Sequence, residues 1–339
     1  MKKIKFGVVG CGYIGKRHAE MIARENNTEI AALCDILSKD KLGIDGYKVP
    51  FFSSIDDLLH NTDAEVINIC TPNGYHAEYA IKAILSNRHV VIEKPIALTT
   101  ADAEKIVYTA LSRNKLVFCV MQNRYSPPSL WLKELVDSGK LGAIYIVQIN
   151  CYWNRDNRYY KPGNWHGSAN LDGGTLFTQF SHFIDIMYWL FGDITNIQAK
   201  FNDFNHYDLT AFEDTGIVNF DFINGGMGCL NYSTSVWDKN LESSITIIAE
   251  KGSVKVGGQY MNEVEYCHVK NYEMPTLAPT NPGNDYGAYK GSAQNHNYVI
   301  ENIVNVLNNK ESITTNVIEG LKVVNIIEKI YKIKSSLKE

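Results

Sequence analysis

Three short stretches of the chain carry side chains whose types and spacing suit redox chemistry on an alcohol. The first is Gly10-Cys11-Gly12-Tyr13-Ile14-Gly15, with Asp35 20 residues beyond the last glycine. In a turn of this form the first glycine permits a tight reversal, the second lets the backbone approach a pyrophosphate, and the third lets a helix pack closely on a strand. The helix that follows offers free N–H groups and partial positive charge to phosphates. Asp35 can accept hydrogen bonds from the adenosine ribose hydroxyls and repels a 2′-phosphate, which favours NAD over NADP.

The second stretch is a pair of segments, Thr71-Pro72-Asn73 with His76, and Glu93-Lys94-Pro95. Each follows a short apolar run of strand character. Ligands of doubly wound sheets bind at the carboxyl ends of strands, so Thr71, Pro72, Asn73, His76, Glu93 and Lys94 are expected to border a nicotinamide. Lysine suits acid–base work because burial or a neighbouring cation brings its pKa towards neutrality. Taken alone, a Glu-Lys-Pro sequence is more often a polar strand end.

The third stretch, Gly173-Gly174 through Asp185, opens a helix expected to run to about Phe191. Phe180, Phe183, Ile184, Met187 and Leu190 form its apolar stripe, and Thr178, His182, Asp185 and Trp189 share another face. His182 could take a hydroxyl proton from a sugar while hydride leaves its carbon. Arg124, Tyr125, Arg155, Arg158, Tyr159 and Trp165 lie upstream; guanidinium groups suit phosphates and carboxylates, and aromatic faces stack on bases and sugars.

The elements needed to position these groups are legible from periodicity. Strand runs at Ile4 to Val9, Glu29 to Cys34, Val66 to Cys70, His89 to Ile92 and Val117 to Val120 alternate with helical stretches, the pattern of a parallel sheet covered on both faces. Beyond Tyr125 the pattern becomes antiparallel. Ile144 to Trp153 begins it, and Thr215 to Phe222 returns through Asn224-Gly225-Gly226 to Gly228 to Ser235 as a hairpin. Ser244 to Ala249, Ser253 to Val256 and Glu263 to Val269 follow. Two amphipathic helices close the chain. The division expected is a doubly wound domain over residues 1–122 and a substrate-binding and oligomerisation α/β domain, with a large and mostly antiparallel open sheet, over 123–339. The last helices can pack on either.

Composition narrows the classes. The 33 basic and 37 acidic residues of the 339 leave no basic excess, which disfavours nucleic acid and anionic membranes as partners. No apolar stretch approaches the roughly 20 residues of a membrane span. Seven cysteines, dispersed singly, read as reduced core residues of a cytoplasmic protein. The start, MKKIKFGVVG, passes into the glycine turn without a signal-peptide cleavage pattern, so no export is expected. The nine histidines show no HExxH and no zinc spacing, and no metal is expected.

VVGCGYIGKRHAEMI, ICTPNGYHAEYAIKAI and VVIEKPIALT, in order and spacing, resemble the glucose-fructose oxidoreductase / inositol dehydrogenase / MocA (Gfo/Idh/MocA) family of NAD(P)-dependent sugar oxidoreductases, and the resemblance covers essentially the whole chain. It implies a Rossmann domain followed by an open-sheet α/β domain, NAD as cofactor, and Lys94 as a catalytic residue at the nicotinamide. It also implies Gln122 as a cofactor contact, a cis proline at Pro95, and a homo-oligomer, expected to be a tetramer, built through the second sheet. Members carry Asp-x-Gly-x-His-x-x-Asp on the second domain's helix. His182 and Asp185 match its last part, while Thr178 and Phe180 stand where the family has Asp and Gly, so the second carboxylate is missing and Asp185 is expected to be structural. Gln-Asn-Arg-Tyr at 122–125, Leu-Asp-Gly-Gly at 171–174 and Thr178-Gln179 before His182 look like the branch that oxidises C3 of UDP-N-acetylglucosaminuronic acid for bacterial O-antigen. That implies substrate contacts at Lys94, Arg124, Tyr125, Arg158, Tyr159, Trp165, Thr178, Gln179 and His182. A free-sugar or inositol dehydrogenase, and a non-catalytic NAD sensor on the same fold, are the alternatives.

Overall fold

A computed structural model of the chain describes residues 3–287 and 289–336, and divides it into two compact units, Met1–Met121 with His296–Val324, and Gln122–Asn295 with Asn325–Glu339.

The first unit runs β1 (Ile4–Val9), α1 (Tyr13–Arg24), β2 (Thr28–Cys34), α2 (Lys39–Leu42), β3 (Phe51–Phe52), α3 (Ile55–Asn61), β4 (Val66–Ile69), α4 (His76–Leu85), β5 (His89–Ile92), α5 (Thr100–Ser112) and β6 (Val117–Cys119). The strands form one parallel sheet in the order β3-β2-β1-β4-β5-β6, so direction reverses between β1 and β4, and ligands of such sheets bind at that switch. β4 is buried along its whole length, as a strand covered on both faces must be. The two-residue β3 was too short to be read from the sequence. Asn316 bridges to Phe118 of β6, and Gly320 lies where an added Cβ would meet Cys119 Sγ at 2.7 Å.

The second unit contains α6 (Pro127–Asp137), β7 (Ile144–Tyr152), α7 (Thr175–Thr178), α8 (Ser181–Phe191), β8 (Ile194–Asn202), β9 (Thr215–Phe222), β10 (Met227–Ser233), β11 (Glu242–Ala249), β12 (Gly252–Gly257), β13 (Glu263–Val269), β14 (Gly283–Asp285) and β15 (Lys290–Ala293). Helices α9 (His296–Leu307) and α10 (Val317–Ser336) end the chain, α10 passing from the first unit into the second. Seven strands form the sheet β13-β12-β11-β7-β10-β9-β8, antiparallel except where β10 runs parallel to β7. The hairpin between β9 and β10 turns where Gly225 and Gly226 hold φ of 100° and 88°, and a Cβ at Gly226 would meet the Ile144 carbonyl oxygen at 2.5 Å.

One face of this sheet is a core. Val147, Val218, Leu230 and Ile247 are buried there, and Trp153, Phe180, Phe183 and Tyr232 meet ring to ring. The other face exposes Ile146, Ile217, Met227 and Tyr266. The helix expected from Gly173 to Phe191 is two helices, broken at Gln179–Phe180, so Thr178 does not share a continuous helical face with His182.

Candidate active site

The nucleotide turn has the shape its glycines require. Gly10 holds φ at 87°, and a Cβ at Gly15 would lie 1.8 Å from the Gly10 carbonyl oxygen, so only hydrogen fits where α1 meets the turn. An added Cβ at Gly12, the N-cap of α1, would meet nothing within 4 Å, and no side chain caps the helix there. Open space in front of uncapped N–H groups fits a pyrophosphate. Asp35, just past β2, accepts from the Cys11 N–H at 2.6 Å and the Leu37 N–H at 2.9 Å. That fixes a carboxylate beside the turn. The Thr71 hydroxyl, at the end of β4, has no protein partner although it is buried. The first unit thus fits NAD.

His76 does not fit the part expected of it. It is fully buried, with Nδ1 2.7 Å from the Pro95 carbonyl oxygen and Nε2 2.8 Å from that of Thr71. The ring sits between these two carbonyls, linking the loop after β4 to the loop after β5, and as a neutral imidazole it donates its one N–H to one of them. Burial pulls its pKa below the ordinary value. Lys94 is half-buried, and its peptide bond to Pro95 is cis. Its backbone N–H donates to Glu93 Oε2 at 3.2 Å. Glu93 is itself buried, so it too is spent inside the protein.

In the second unit, His182 is buried at the second position of α8. Arg124, expected to meet a diphosphate or a uronate, is instead fully buried and paired to Asp185, with Nε at 2.8 Å and Nη2 at 2.6 Å from the two carboxylate oxygens. The pair staples the turn Gln122–Tyr125 to α8, which is the structural part Asp185 plays. Arg158 is also paired, with Asp156, Asp238 and the Asn154 side chain. Gln179 gives its carbonyl to Arg155 Nε at 2.7 Å and its amide to the Tyr159 hydroxyl at 2.8 Å. Tyr159 is buried against Tyr160, His166 and Tyr289. Trp165 is half-buried with its ring 3.9 Å from that of His166, and Tyr125 is half-buried in its short turn. Gln122 is buried; its backbone carbonyl accepts from the Asn295 amide, while its side-chain Oε1 has no partner.

Thr178 donates to the carboxylate of Asp172, and Asp172 also accepts from the Gly167 N–H at 2.8 Å. A carboxylate six residues upstream in sequence therefore lies against the position where the family pattern has an Asp. Sequence reasoning named Asp172 only as part of a glycine-rich run; a buried acid before two glycines was the available signal. Arg155, expected among the guanidinium groups suited to phosphates and carboxylates, is instead buried under the rings of Trp153, Tyr159 and Tyr289 at 4.8, 5.2 and 5.0 Å. His18 was missed as well, although it lies at the buried spacing of α1 with Gly15, Ala19 and Ile22.

A nucleotide turn, a fixed acid after β2 and a lysine after β5 define an NAD-binding oxidoreductase. The family models agree: residues 4–121 match an oxidoreductase family with an NAD-binding Rossmann fold, and residues 130–255 match the GFO/IDH/MocA C-terminal domain. The chain belongs to the Gfo/Idh/MocA family and is an NAD-dependent dehydrogenase. Among solved structures it is similar to the WlbA dehydrogenase of Bordetella pertussis in complex with NADH and UDP-GlcNAcA, at 30% identity over 98% of this chain and 96% of that one, TM-score 0.88. The WlbA dehydrogenase of Chromobacterium violaceum, in complex with the same two ligands, gives 29% identity over 99% and 95%, TM-score 0.88. Inositol 2-dehydrogenase of Salmonella typhimurium is 29% identical over 195 residues, 56% of this chain and 55% of that protein.

Proposed function

We propose that the protein oxidises the C3 hydroxyl of UDP-N-acetylglucosaminuronate with NAD, in the cytoplasm, as a step in bacterial O-antigen sugar synthesis. The observation that carries this reading is the likeness over nearly the whole chain to the two WlbA dehydrogenases, each solved with NADH and UDP-GlcNAcA. Residues 1–121 with His296–Val324 serve as the NAD domain, and the substrate domain, expected over 123–339, is Gln122–Asn295 with Asn325–Glu339.

Gly10, Gly12 and the first turn of α1 would hold the pyrophosphate, Asp35 the adenosine ribose, and Thr71, Pro72 and Asn73 the nicotinamide end. When bound, NAD supplies the hydride acceptor. Lys94 takes the proton of the sugar hydroxyl, with His182 as the second acid–base group, and the protein's remaining task is to align the C–H bond. Because Arg124, Arg158 and Gln179 are engaged within the protein, anion recognition falls to groups other than the paired guanidiniums. A homotetramer through the exposed face of the seven-stranded sheet accounts for the apolar side chains there.

The test is turnover by the purified full chain with NAD and a panel of UDP-N-acetylglucosaminuronate, UDP-N-acetylglucosamine, N-acetylglucosamine and myo-inositol, with and without 2-oxoglutarate. Reduced-nicotinamide absorbance and the mass of the keto product are followed. Turnover confined to the uronate supports the proposal, and turnover of myo-inositol or the free sugar replaces it with the free-polyol alternative. Silence across the panel, with NADH still bound, favours a sensor.

A further inference from the structure

Beside Lys94 the first unit buries a cluster that the proposed reaction does not use. Glu93 lies between two histidines carried on different elements. His18 Nε2, on α1, is 2.9 Å from Glu93 Oε1, and His296 Nε2, at the start of α9, is 3.4 Å from the same oxygen. The Asn68 amide, on β4, donates to His18 Nδ1 at 2.8 Å, which leaves the His18 proton on Nε2, facing the carboxylate. The other carboxylate oxygen accepts the Lys94 backbone N–H. The three side chains are close enough together to hold a cation. A ring nitrogen that carries a proton has no lone pair to offer a metal, so His18 holds Glu93 by a hydrogen bond, while His296 Nε2 lies against the same oxygen as a looser contact.

A buried carboxylate is costly unless it is paired and hydrogen-bonded. Burial pushes the Glu93 carboxyl up, and the contacts from His18 and His296 outweigh it, holding the group well below the usual carboxylate range. The other titratable groups that face this cluster are Arg17 on α1, Cys70 after β4 and His76 at the start of α4, which also faces Lys94.

We propose that Glu93 is a positioning residue for Lys94: its carboxylate, clamped by His18 and His296, pins the Lys94 backbone, and its negative charge favours the ammonium form of the Lys94 amine. An ammonium lysine is ready to donate a proton to a keto sugar in the reductive direction, and must lose a proton before it can serve oxidation. The inference rests on Lys94 being the acid–base group of the proposed reaction.

The experiment reads the protonation of Lys94 without depending on a substrate. Full-length wild type, E93Q, E93D and H18L are pulsed with acetic anhydride across a pH series, and Lys94 acylation is followed by mass spectrometry of its peptide. The pH profile of NAD-dependent oxidation of UDP-N-acetylglucosaminuronate is measured alongside. In E93Q the acylation midpoint moves about one pH unit lower, because the anion that stabilised the ammonium is gone. The acid limb of oxidation moves with it. H18L removes the donor that keeps the carboxyl ionised and shifts the midpoint in the same direction. E93D keeps the charge and shortens the reach, so its midpoint stays near wild type while kcat falls about tenfold or more. A role confined to stability would lower the folded fraction and leave the midpoint where it is. A folded E93Q whose midpoint lies within about 0.3 unit of wild type overturns the proposal. If E93Q does not fold, H18L and H296L are judged by the same criterion. If wild type oxidises nothing in the panel, the proposed function fails, and the acylation midpoints still decide this inference.

Discussion

At the scale of single residues, function depends on which polar groups the fold leaves available. Asp35 is held by two backbone N–H groups beside the glycine turn, and in the proposed function it meets the adenosine ribose. Replacing it by Ser removes both the acceptor and the repulsion of a 2′-phosphate. The ratio of kcat/KM for NADP over NAD should then rise about tenfold or more, as measured by initial rates with each cofactor. Lys94→Ala should lower kcat by about 10²- to 10⁴-fold, the usual contribution of a positioned acid or base, with NADH affinity by fluorescence titration kept within a few-fold. Turnover near the wild-type rate would remove Lys94 from the mechanism. His76 illustrates the opposite case. A sequence places it beside the nicotinamide segment, but cannot show that its ring is buried between two backbone carbonyl groups.

At the scale of elements, the strand-turn-helix unit was the most legible part of the chain, because every constraint on it is local. Three glycines, the apolar strand before them and the acid after β2 lie within 35 residues. Gly15→Ala tests the packing directly, since its Cβ would fall on the Gly10 carbonyl. Displacing α1 should cost about 1–3 kcal/mol or more in urea unfolding and weaken NAD binding about tenfold, whereas a wild-type dissociation constant would mean that the turn relaxes freely. The break between α7 and α8 was less legible, since the apolar periodicity continues through Gln179 and Phe180. There the side chain of Gln179 is drawn into the Arg155 network. Arg124 and Asp185 were read as an anion ligand and a structural acid, and their pairing spans 61 positions. Arg124→Ala leaves Asp185 as an uncompensated buried charge and should destabilise the protein by about 3–5 kcal/mol by urea unfolding, without the selective loss of sugar affinity expected of a ligand residue.

For the whole molecule, the buried histidines set a direction for pH dependence. Burial lowers the pKa of His76, His89, His206 and His296. A histidine whose pKa is lower in the folded than in the unfolded protein contributes stability above about pH 6.5, and that stability is lost as pH falls below it, because the unfolded chain then binds more protons. Glu93 adds a second loss below the ordinary carboxylate range, where its depressed pKa ceases to favour the folded state. The melting temperature should therefore fall between about pH 7.5 and 5.5 in scanning fluorimetry, and a flat or rising curve would contradict the neutral burial of these rings. The family, the paired architectures, the NAD cofactor and the dehydrogenase class were all written in the chain itself, because glycine spacing, strand periodicity and short motifs are properties of neighbouring residues. Which cations remain unpaired, which carboxylate lies against Thr178, and what surrounds Glu93 were decided only by the tertiary structure. The Arg124–Asp185 pair and the Glu93 cluster bring together positions tens to hundreds of residues apart, and even the contact of Thr178 with Asp172 depends on a break in the helix; in a buried site the free energy of a charge depends on that company rather than on its neighbours in sequence.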